Sequence, residues 1–86
     1  MKIESDGYRK FIATEIRKKI IELWDQGVKT SKGEPMSLAA IGRTLDPPVT
    51  RQTVHLVVMG RAESARVKEA VEREIGQPYW IRRNAI

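Results

Sequence analysis

Apolar residues recur along this chain at spacings of three and four, the period of an amphipathic helix, in several separate stretches. In the first stretch they are Ile12, Ile16, Ile20, Leu23 and Trp24. Because Gly27 favours a left-handed cap and no periodicity continues beyond it, the pattern predicts a helix from Tyr8 to about Gln26. Residues 1–7 lack such a pattern and are predicted to form a flexible arm.

A second, shorter helix is predicted after a segment without periodicity. Residues 28–36 carry two lysines, a glycine and a proline, and are expected to form a long, mobile, basic loop. Ser37 then suits the N-cap of a helix that ends near Leu45. Gly42 lies inside this helix, where glycine costs about 0.5–1 kcal/mol relative to alanine. Close approach of the following helix is the expected reason for it.

The third helix follows a turn that contains two prolines. Pro47 and Pro48 cannot continue the preceding helix, because each lacks an N–H and disfavours helical geometry in the residue before it. The turn is therefore predicted to be rigid. Thr50 is the expected N-cap of the next helix, which runs to about Met59 before Gly60 ends it.

A fourth helix is predicted from a cap at Ser64 to Gly76. Its inner stripe consists of Val67, Ala70, Val71 and Ile75. Beyond it, the segment Pro78-Tyr79-Trp80-Ile81 is expected to fold back and lay Trp80 over the core. We expect Trp24 and Trp80 to serve as core and lid rather than as stacking platforms for single-stranded nucleic acid.

The third helix has two unlike faces when it is projected at about 100° per residue. The apolar face contains Val54, Val57 and Val58, and the opposite face contains Arg51, Gln52, His55, Leu56 and Met59. Arg51 can pair with guanine O6 and N7, Gln52 with adenine N6 and N7, and Leu56 can pack on a thymine methyl. Two short helices at a sharp turn, the second opening with such side chains, predict a helix-turn-helix that enters a DNA major groove. The competing interpretation makes Arg51 and Gln52 solvated residues and assigns Leu56 and Met59 to self-association.

Composition agrees with this hypothesis without deciding it. The chain has 86 residues, enough for one small domain that buries about 60–65% of its unfolded surface. Its formal net charge of +5 suits a polyanionic partner, although solubility alone explains such a charge in many small proteins. The absence of cysteine excludes disulfides and thiolate zinc sites. No secretory or membrane-spanning apolar run is apparent, so the expected location is cytoplasmic.

No constellation for catalysis or cofactor binding stands out, and we do not predict an enzyme. His55 is the single histidine, and no carboxylate lies beside it at a metal-ligand spacing. The glutamates of the fourth helix are interpreted as a solvated face. No phosphate-cradling glycine loop is found, because Gly27 and Gly33 are not followed by a Gly-Lys-Ser/Thr sequence. No metal, cofactor or small-molecule ligand is implied.

One family resemblance spans roughly residues 11–83. Ser37-Leu-Ala-Ala-Ile-Gly-Arg-Thr-Leu, the turn, Thr50-Arg-Gln-Thr-Val, then Gly60-Arg61 and a capped helix together resemble the lambda-repressor-like helix-turn-helix family of phage and bacterial regulators. Within it, Ner-like proteins are the most similar, because there too a Trp-containing segment follows, here Gly76-Gln-Pro-Tyr-Trp80-Ile-Arg-Arg. The segment from Leu45 to Val54 is longer than the usual spacing.

The resemblance implies a compact all-α domain of four helices over residues 8–81, with a short C-terminal tail at 82–86. It implies a sequence-specific, double-stranded DNA-binding transcriptional regulator, a repressor of phage or prophage type, in the bacterial cytoplasm or nucleoid. The groove-facing residues would be Arg51, Gln52, His55 and Leu56. Phosphate contacts are expected from helix starts and from arginines around the groove, namely Ser37, Arg43, Thr50, Thr53, Arg61, Ser64 and Arg66.

Two questions stay open at this point. Such modules often bind palindromic sites as symmetric pairs, so a homodimer on DNA is compatible with the sequence but is not specified by it. The alternative function is a protein-interaction module on the same scaffold, which would hold a partner protein through Leu56, Met59 and Val58.

Overall fold

The computed structural model describes residues 6–80, and within them all regular secondary structure is helical. The helices are α1 (Asp6–Asp25), α2 (Leu38–Arg43), α3 (Arg51–Val58) and α4 (Ala65–Ile75). Strand-like pairing in this part of the chain is limited to an isolated antiparallel bridge between Lys29 and Pro35. The predicted all-α class is confirmed.

Two helix boundaries differ from the prediction by two residues. Helix α1 begins at Asp6, so Gly7, the last residue of the predicted arm, is helical, while residues 1–5 lie outside the described range. Helix α2 ends at Arg43 instead of Leu45. Its last turn tightens, because the Leu45 amide donates to the Gly42 carbonyl at 3.3 Å in an i→i−3 bond. Asp46 cannot extend the helix, since it precedes proline.

The predicted caps are confirmed. The side-chain hydroxyls of three residues each accept a hydrogen bond from the backbone amide three positions later: Ser37 from Ala40 at 3.0 Å, Thr50 from Thr53 at 3.2 Å and Ser64 from Val67 at 3.3 Å. Gly76 ends α4 in the left-handed region, with φ 83°. Each cap satisfies a backbone group that the helix itself leaves unpaired.

The core contains apolar residues from all four helices. The largest fully buried side chains are Ile16, Met36, Ile41, Val54, Val57, Val58, Val67 and Val71. Helix α1 supplies a stripe that runs from Ile12 to Leu23. The prediction that Trp24 belongs to this core was wrong, because 60% of its surface is exposed. It lies about 100° around the helix from Leu23, on the side of α1 where Ile21 is also exposed.

The segment between α1 and α2 is more ordered than the predicted mobile loop. Met36 is 1% exposed and belongs to the core, and Thr30 is buried as well. The Ser31 backbone amide and hydroxyl both donate to the Glu74 carboxylate, each at 2.7 Å. These contacts attach the segment to the C-terminal end of α4.

The segment after α4 folds back as predicted, as far as the described residues extend. The Glu72 carboxylate accepts the backbone amides of Tyr79 at 2.7 Å and Trp80 at 3.0 Å. Trp80 is 9% exposed, and the Lys68 ammonium lies 5.5 Å from its ring centroid. The Tyr8 hydroxyl donates to the Tyr79 carbonyl at 3.2 Å. The C-terminal segment is therefore attached to both α4 and α1, whereas Ile81 and the predicted tail at 82–86 lie outside the described range.

Candidate nucleic-acid interface

Helix α3 is held against α2 by a close backbone approach at Gly42. A Cβ atom at this position would overlap the carbonyl oxygen of Val49 and lie 3.2 Å from Cγ2 of Val54. The expected reason for the glycine was the next helix, but the nearest atom belongs to the turn that leads into it. The Val49 amide also donates to the Gly42 carbonyl at 3.1 Å. These contacts fix the position of the turn, and therefore the position at which α3 begins.

The two faces of α3 differ in exposure, as the helical projection predicts. Val54, Val57 and Val58 are at most 1% exposed. On the opposite side, Arg51 and Gln52 are exposed in the first turn. Because the inner face is fully packed, the direction in which these two polar side chains project is set by the fold.

His55 and Leu56 occupy the middle of the same helix and are half-buried. Leu56 follows Gln52 by four residues, so the two side chains lie on the same side of the helix, one turn apart. The first and second turns of α3 thus present an arginine, a glutamine, a histidine and a leucine on one side.

Met59 does not belong to this outer face, contrary to the projection. It packs against the core, and its Sδ accepts a hydrogen bond from the Arg17 guanidinium at 3.1 Å. The reason is that α3 ends at Val58, so Met59 is the C-cap and lies where α1 covers the end of the helix. The candidate base-reading surface is restricted to Arg51, Gln52, His55 and Leu56.

The predicted phosphate-contacting hydroxyls all lie at helix starts. Thr50 Oγ1 lies 3.1 Å from Thr53 Oγ1, so one of these two hydroxyls donates to the other. The hydroxyls of Ser37 and Ser64 accept backbone amides as caps. A hydroxyl that accepts in this way still has its own proton to donate.

The three predicted arginines have different surroundings. Arg43 forms an ion pair with Glu34, with Nε and Nη2 at 2.7 and 2.6 Å from the same carboxylate oxygen. This hydrogen bond raises the pKa of Arg43 and lowers the pKa of Glu34. Arg66 donates to the Pro47 carbonyl at 3.1 Å, which brings the start of α4 beside the turn. Arg61 is exposed in the loop after α3.

The structure adds two basic residues that the sequence did not single out. Arg9 and Lys10, at the start of α1, line an open cleft together with Met59, Gly60 and Arg61. The two parts of this cleft are separated along the chain by residues 11–58, and no local pattern links them. Arg9 and Lys10 lie near Arg61 only because α1 packs on α3.

Within residues 6–80, no group of three acidic or histidine side chains could hold a metal ion. No helix in that range has both the length and the apolar character needed to cross a bilayer.

No known protein-family model, curated protein or solved structure matches this chain.

Proposed function

We propose that this chain is a sequence-specific regulator of transcription that binds double-stranded DNA with α3 in the major groove. In this proposal, α2, the turn and α3 form a helix-turn-helix of the lambda-repressor-like kind. The observation that carries it is the exposed first turn of α3, where Arg51 and Gln52 project from a helix whose other face is completely buried. Arginine and glutamine are the side chains best suited to guanine and adenine edges.

The packing behind this turn supports base reading, since a bidentate contact requires a fixed helix. Thr50 caps α3, and Val54 is 0% exposed against the α2 backbone at Gly42. A side chain on a loosely held helix would lose more conformational entropy on binding. Each well-placed bidentate pair contributes about 1–3 kcal/mol of discrimination against the wrong base.

The middle of α3 extends the same surface. Leu56 offers an apolar contact to a thymine methyl, and the His55 imidazole can donate or accept at a base edge or phosphate. Both side chains are half-buried, so they lie closer to the body of the domain than Arg51 and Gln52. The base contacts of Arg51 and Gln52 are therefore central to the proposal, and those of His55 and Leu56 add to them.

The charges around this surface suit the phosphate backbone. Arg61 and Arg66 lie in the loop after α3 and at the start of α4, and the hydroxyls of Ser37 and Ser64 can donate to phosphate oxygens. Thr50 and Thr53 lie at the entrance of α3 itself. Arg43 contributes less, because Glu34 already neutralises its charge.

The proposed regulator acts by occupying a promoter or operator, so that bound protein excludes the transcription machinery. Its partner is duplex DNA in the bacterial cytoplasm, and its chemistry requires no cofactor. A symmetric pair of chains on a palindromic site is one arrangement of this kind, with half-sites about one helical turn apart.

Selection of bound duplexes from a random pool at physiological salt, followed by sequencing, tests the proposal. We expect one enriched motif for the unaltered protein and a relaxed motif for Arg51→Ala. Lys18→Ala is the matched control, because it removes one exposed positive charge from α1 and leaves α3 unchanged. A protein that prefers no duplex would contradict the proposal, since specific binders discriminate by at least about a thousandfold.

A protein-interaction module is the second candidate, and an observation on α1 favours it. Phe11, Ile21 and Trp24 are 59%, 65% and 60% exposed. The prediction that such a partner binds through Leu56, Met59 and Val58 was wrong for Val58, because this residue is 1% exposed and belongs to the core. If this function holds, the duplex selection yields no motif, and Trp24→Glu abolishes capture of a protein partner that Arg51→Ala retains.

A further inference from the structure

An open cleft of about 350 Å³ with a positively charged lining lies between the start of α1 and the end of α3. Its lining residues are Arg9, Lys10, Met59, Gly60 and Arg61. Three of these five side chains are cationic, all three are exposed, and none of the lining residues is acidic. An open cleft with this lining favours an anion as its occupant.

Gly60 builds the cleft in two ways. Its φ of 78° turns the chain out of α3, which places Arg61 directly after the turn. A Cβ atom there would also lie 2.8 Å from Cδ of Arg9, so the absence of a side chain lets the aliphatic part of Arg9 lie across the backbone. Gly60 therefore leaves room for the aliphatic part of Arg9 beside the turn that leads to Arg61.

The floor of the cleft is anchored as well. The Met59 Sδ accepts a hydrogen bond from Arg17 at 3.1 Å, which attaches the end of α3 to α1 about two turns beyond Lys10. The acidic residue nearest along the chain, Glu63, lines the adjoining pocket with Arg9 and Lys68. Its carboxylate accepts two hydrogen bonds from Lys68, at 3.0 and 3.2 Å.

We infer that this cleft binds a phosphate group of the DNA backbone, held by Arg9, Lys10 and Arg61. The inference rests on the proposed function, because the cleft lies at the end of α3 and includes Arg61. Arginine presents a planar fork of donors to phosphate oxygens, and lysine adds a mobile point charge. Helix α1 thereby becomes part of the DNA interface, at the end of α3 opposite to its base-reading turn.

The test measures how the affinity for duplex DNA depends on salt. Each neutralised phosphate releases counterions, so the logarithm of affinity falls with the logarithm of salt concentration by about 0.9 per contact. In the double variant Arg9→Gln/Lys10→Gln, which retains most of both aliphatic stems, the slope should become shallower by about one unit. The base preference should stay unchanged, because phosphate contacts carry no sequence information.

The matched control is Lys18→Gln/Lys19→Gln. It also removes two adjacent positive charges from α1, but these lysines lie away from the cleft and pair with Glu15 and Glu22. We expect its slope to equal that of the unaltered protein. If circular dichroism shows that the double variant at Arg9 and Lys10 does not fold, the single variant Lys10→Gln replaces it. This variant keeps the contact between the Arg9 side chain and Gly60.

The outcomes separate this inference from the proposed function. A specific protein whose slope is the same in the cleft variant and the control overturns the inference and leaves the function intact. A protein without sequence preference whose slope still becomes shallower supports the cleft and contradicts the function. Titration with inorganic phosphate, followed at the Gly60 amide by NMR, identifies the other source. Suppose that phosphate saturates the unaltered protein but not the cleft variant, while both proteins show the same salt dependence of duplex binding. That result would indicate a site for a free anion and overturn the assignment to duplex DNA.

Discussion

The carbonyl oxygen of Val49 lies so close to the Cα of Gly42 that no side chain fits between them. The Val49 amide donates to the Gly42 carbonyl at 3.1 Å, and this hydrogen bond holds the turn against α2. Val54 completes the contact from α3, with Cγ2 3.2 Å from the position a Cβ would take. The turn and α3 are thus both positioned against one glycine of α2.

Gly42→Val should destabilise the domain by about 1–3 kcal/mol, the usual cost of overpacking. Backbone atoms of Val49 would have to move, and these cannot rotate away as a flexible side chain would. Thermal unfolding followed by circular dichroism measures the effect. Gly27→Asn is the control: nothing lies within 4 Å of a Cβ there, and asparagine tolerates its φ of 75°. Equal melting temperatures for Gly42→Val and the unaltered protein would contradict the close contact.

Arg51→Ala should lower the specific affinity by about 1–3 kcal/mol and relax the preference at one guanine. The reason is the loss of a bidentate contact from the exposed first turn of α3. Binding to a set of duplexes with single base-pair substitutions measures both effects. A uniform loss of affinity across all duplexes would instead make Arg51 a phosphate contact.

Arg61→Ala should make the salt dependence of duplex binding shallower by about one unit, whereas Arg43→Ala should change it less. The difference is expected because Glu34 holds Arg43 at 2.6 Å. Titrations at several salt concentrations give both slopes. Equal changes would mean that the Glu34 ion pair opens on DNA and releases Arg43 to a phosphate.

Glu74→Gln should lower stability at neutral pH by about 1–3 kcal/mol, because it removes a charged acceptor from Ser31 and Arg73. Burial raises the pKa of Glu74, but the hydrogen bonds from Ser31 and Arg73 outweigh it, so the net pKa lies below its usual range. A lowered folded-state pKa adds stability above the unfolded value of about 4.3, and this stability is lost as the pH falls through the folded value.

Urea unfolding at pH 7 and near pH 3 measures this effect. We expect the difference between Glu74→Gln and the unaltered protein to shrink at the lower pH, because the stability that comes from the lowered pKa declines once the pH is below the unfolded value of about 4.3. Glu15→Gln, which removes a carboxylate paired with Lys18 on the surface of α1, is the control. A difference that does not change with pH would contradict the role assigned to the charge of Glu74.

The fluorescence of the two tryptophans should differ in its access to a quencher. Trp24 is 60% exposed and Trp80 is 9% exposed. Acrylamide should therefore quench the Trp80→Phe variant, in which only Trp24 emits, more strongly than Trp24→Phe. Equal quenching would contradict either the exposure of Trp24 or the folding back of the C-terminal segment.

The helix boundaries were largely predictable because their signals are local. Ser37, Thr50 and Ser64 cap helices through bonds to residues three positions away, and Gly76 supplies a left-handed φ. Those interactions depend on neighbours in sequence alone. The burial of the α3 valines was also predictable, since a helical period places them on one side.

The errors concern residues whose surroundings come from distant parts of the chain. The periodicity of α1 extends to Trp24, but the rest of the fold leaves this residue exposed. Met36 lies between Pro35 and Ser37, outside any periodic segment, yet it is almost completely buried. Met59 has the spacing of an outer-face residue, but α1 covers the end of α3.

The same limit applies to the candidate interface. The exposure of Arg51 and Gln52 follows from their place on α3, so the sequence indicated these residues. The pairing of Arg43 with Glu34 depends on the path of the segment between α1 and α2. The approach of Arg9 to Gly60 depends on the packing of α1 against α3, which periodicity cannot specify.

The hydrogen bond between Tyr8 and Tyr79 brings the beginning of α1 within one tyrosine side chain of the segment that follows α4. A short linker could therefore join these two points, and the chain could be opened elsewhere. The exposed Gly33, with nothing within 4 Å of a Cβ, offers such a position between α1 and α2. In that circular permutant α1 would be synthesised last, so α2, α3 and α4 would leave the ribosome before the helix that covers them.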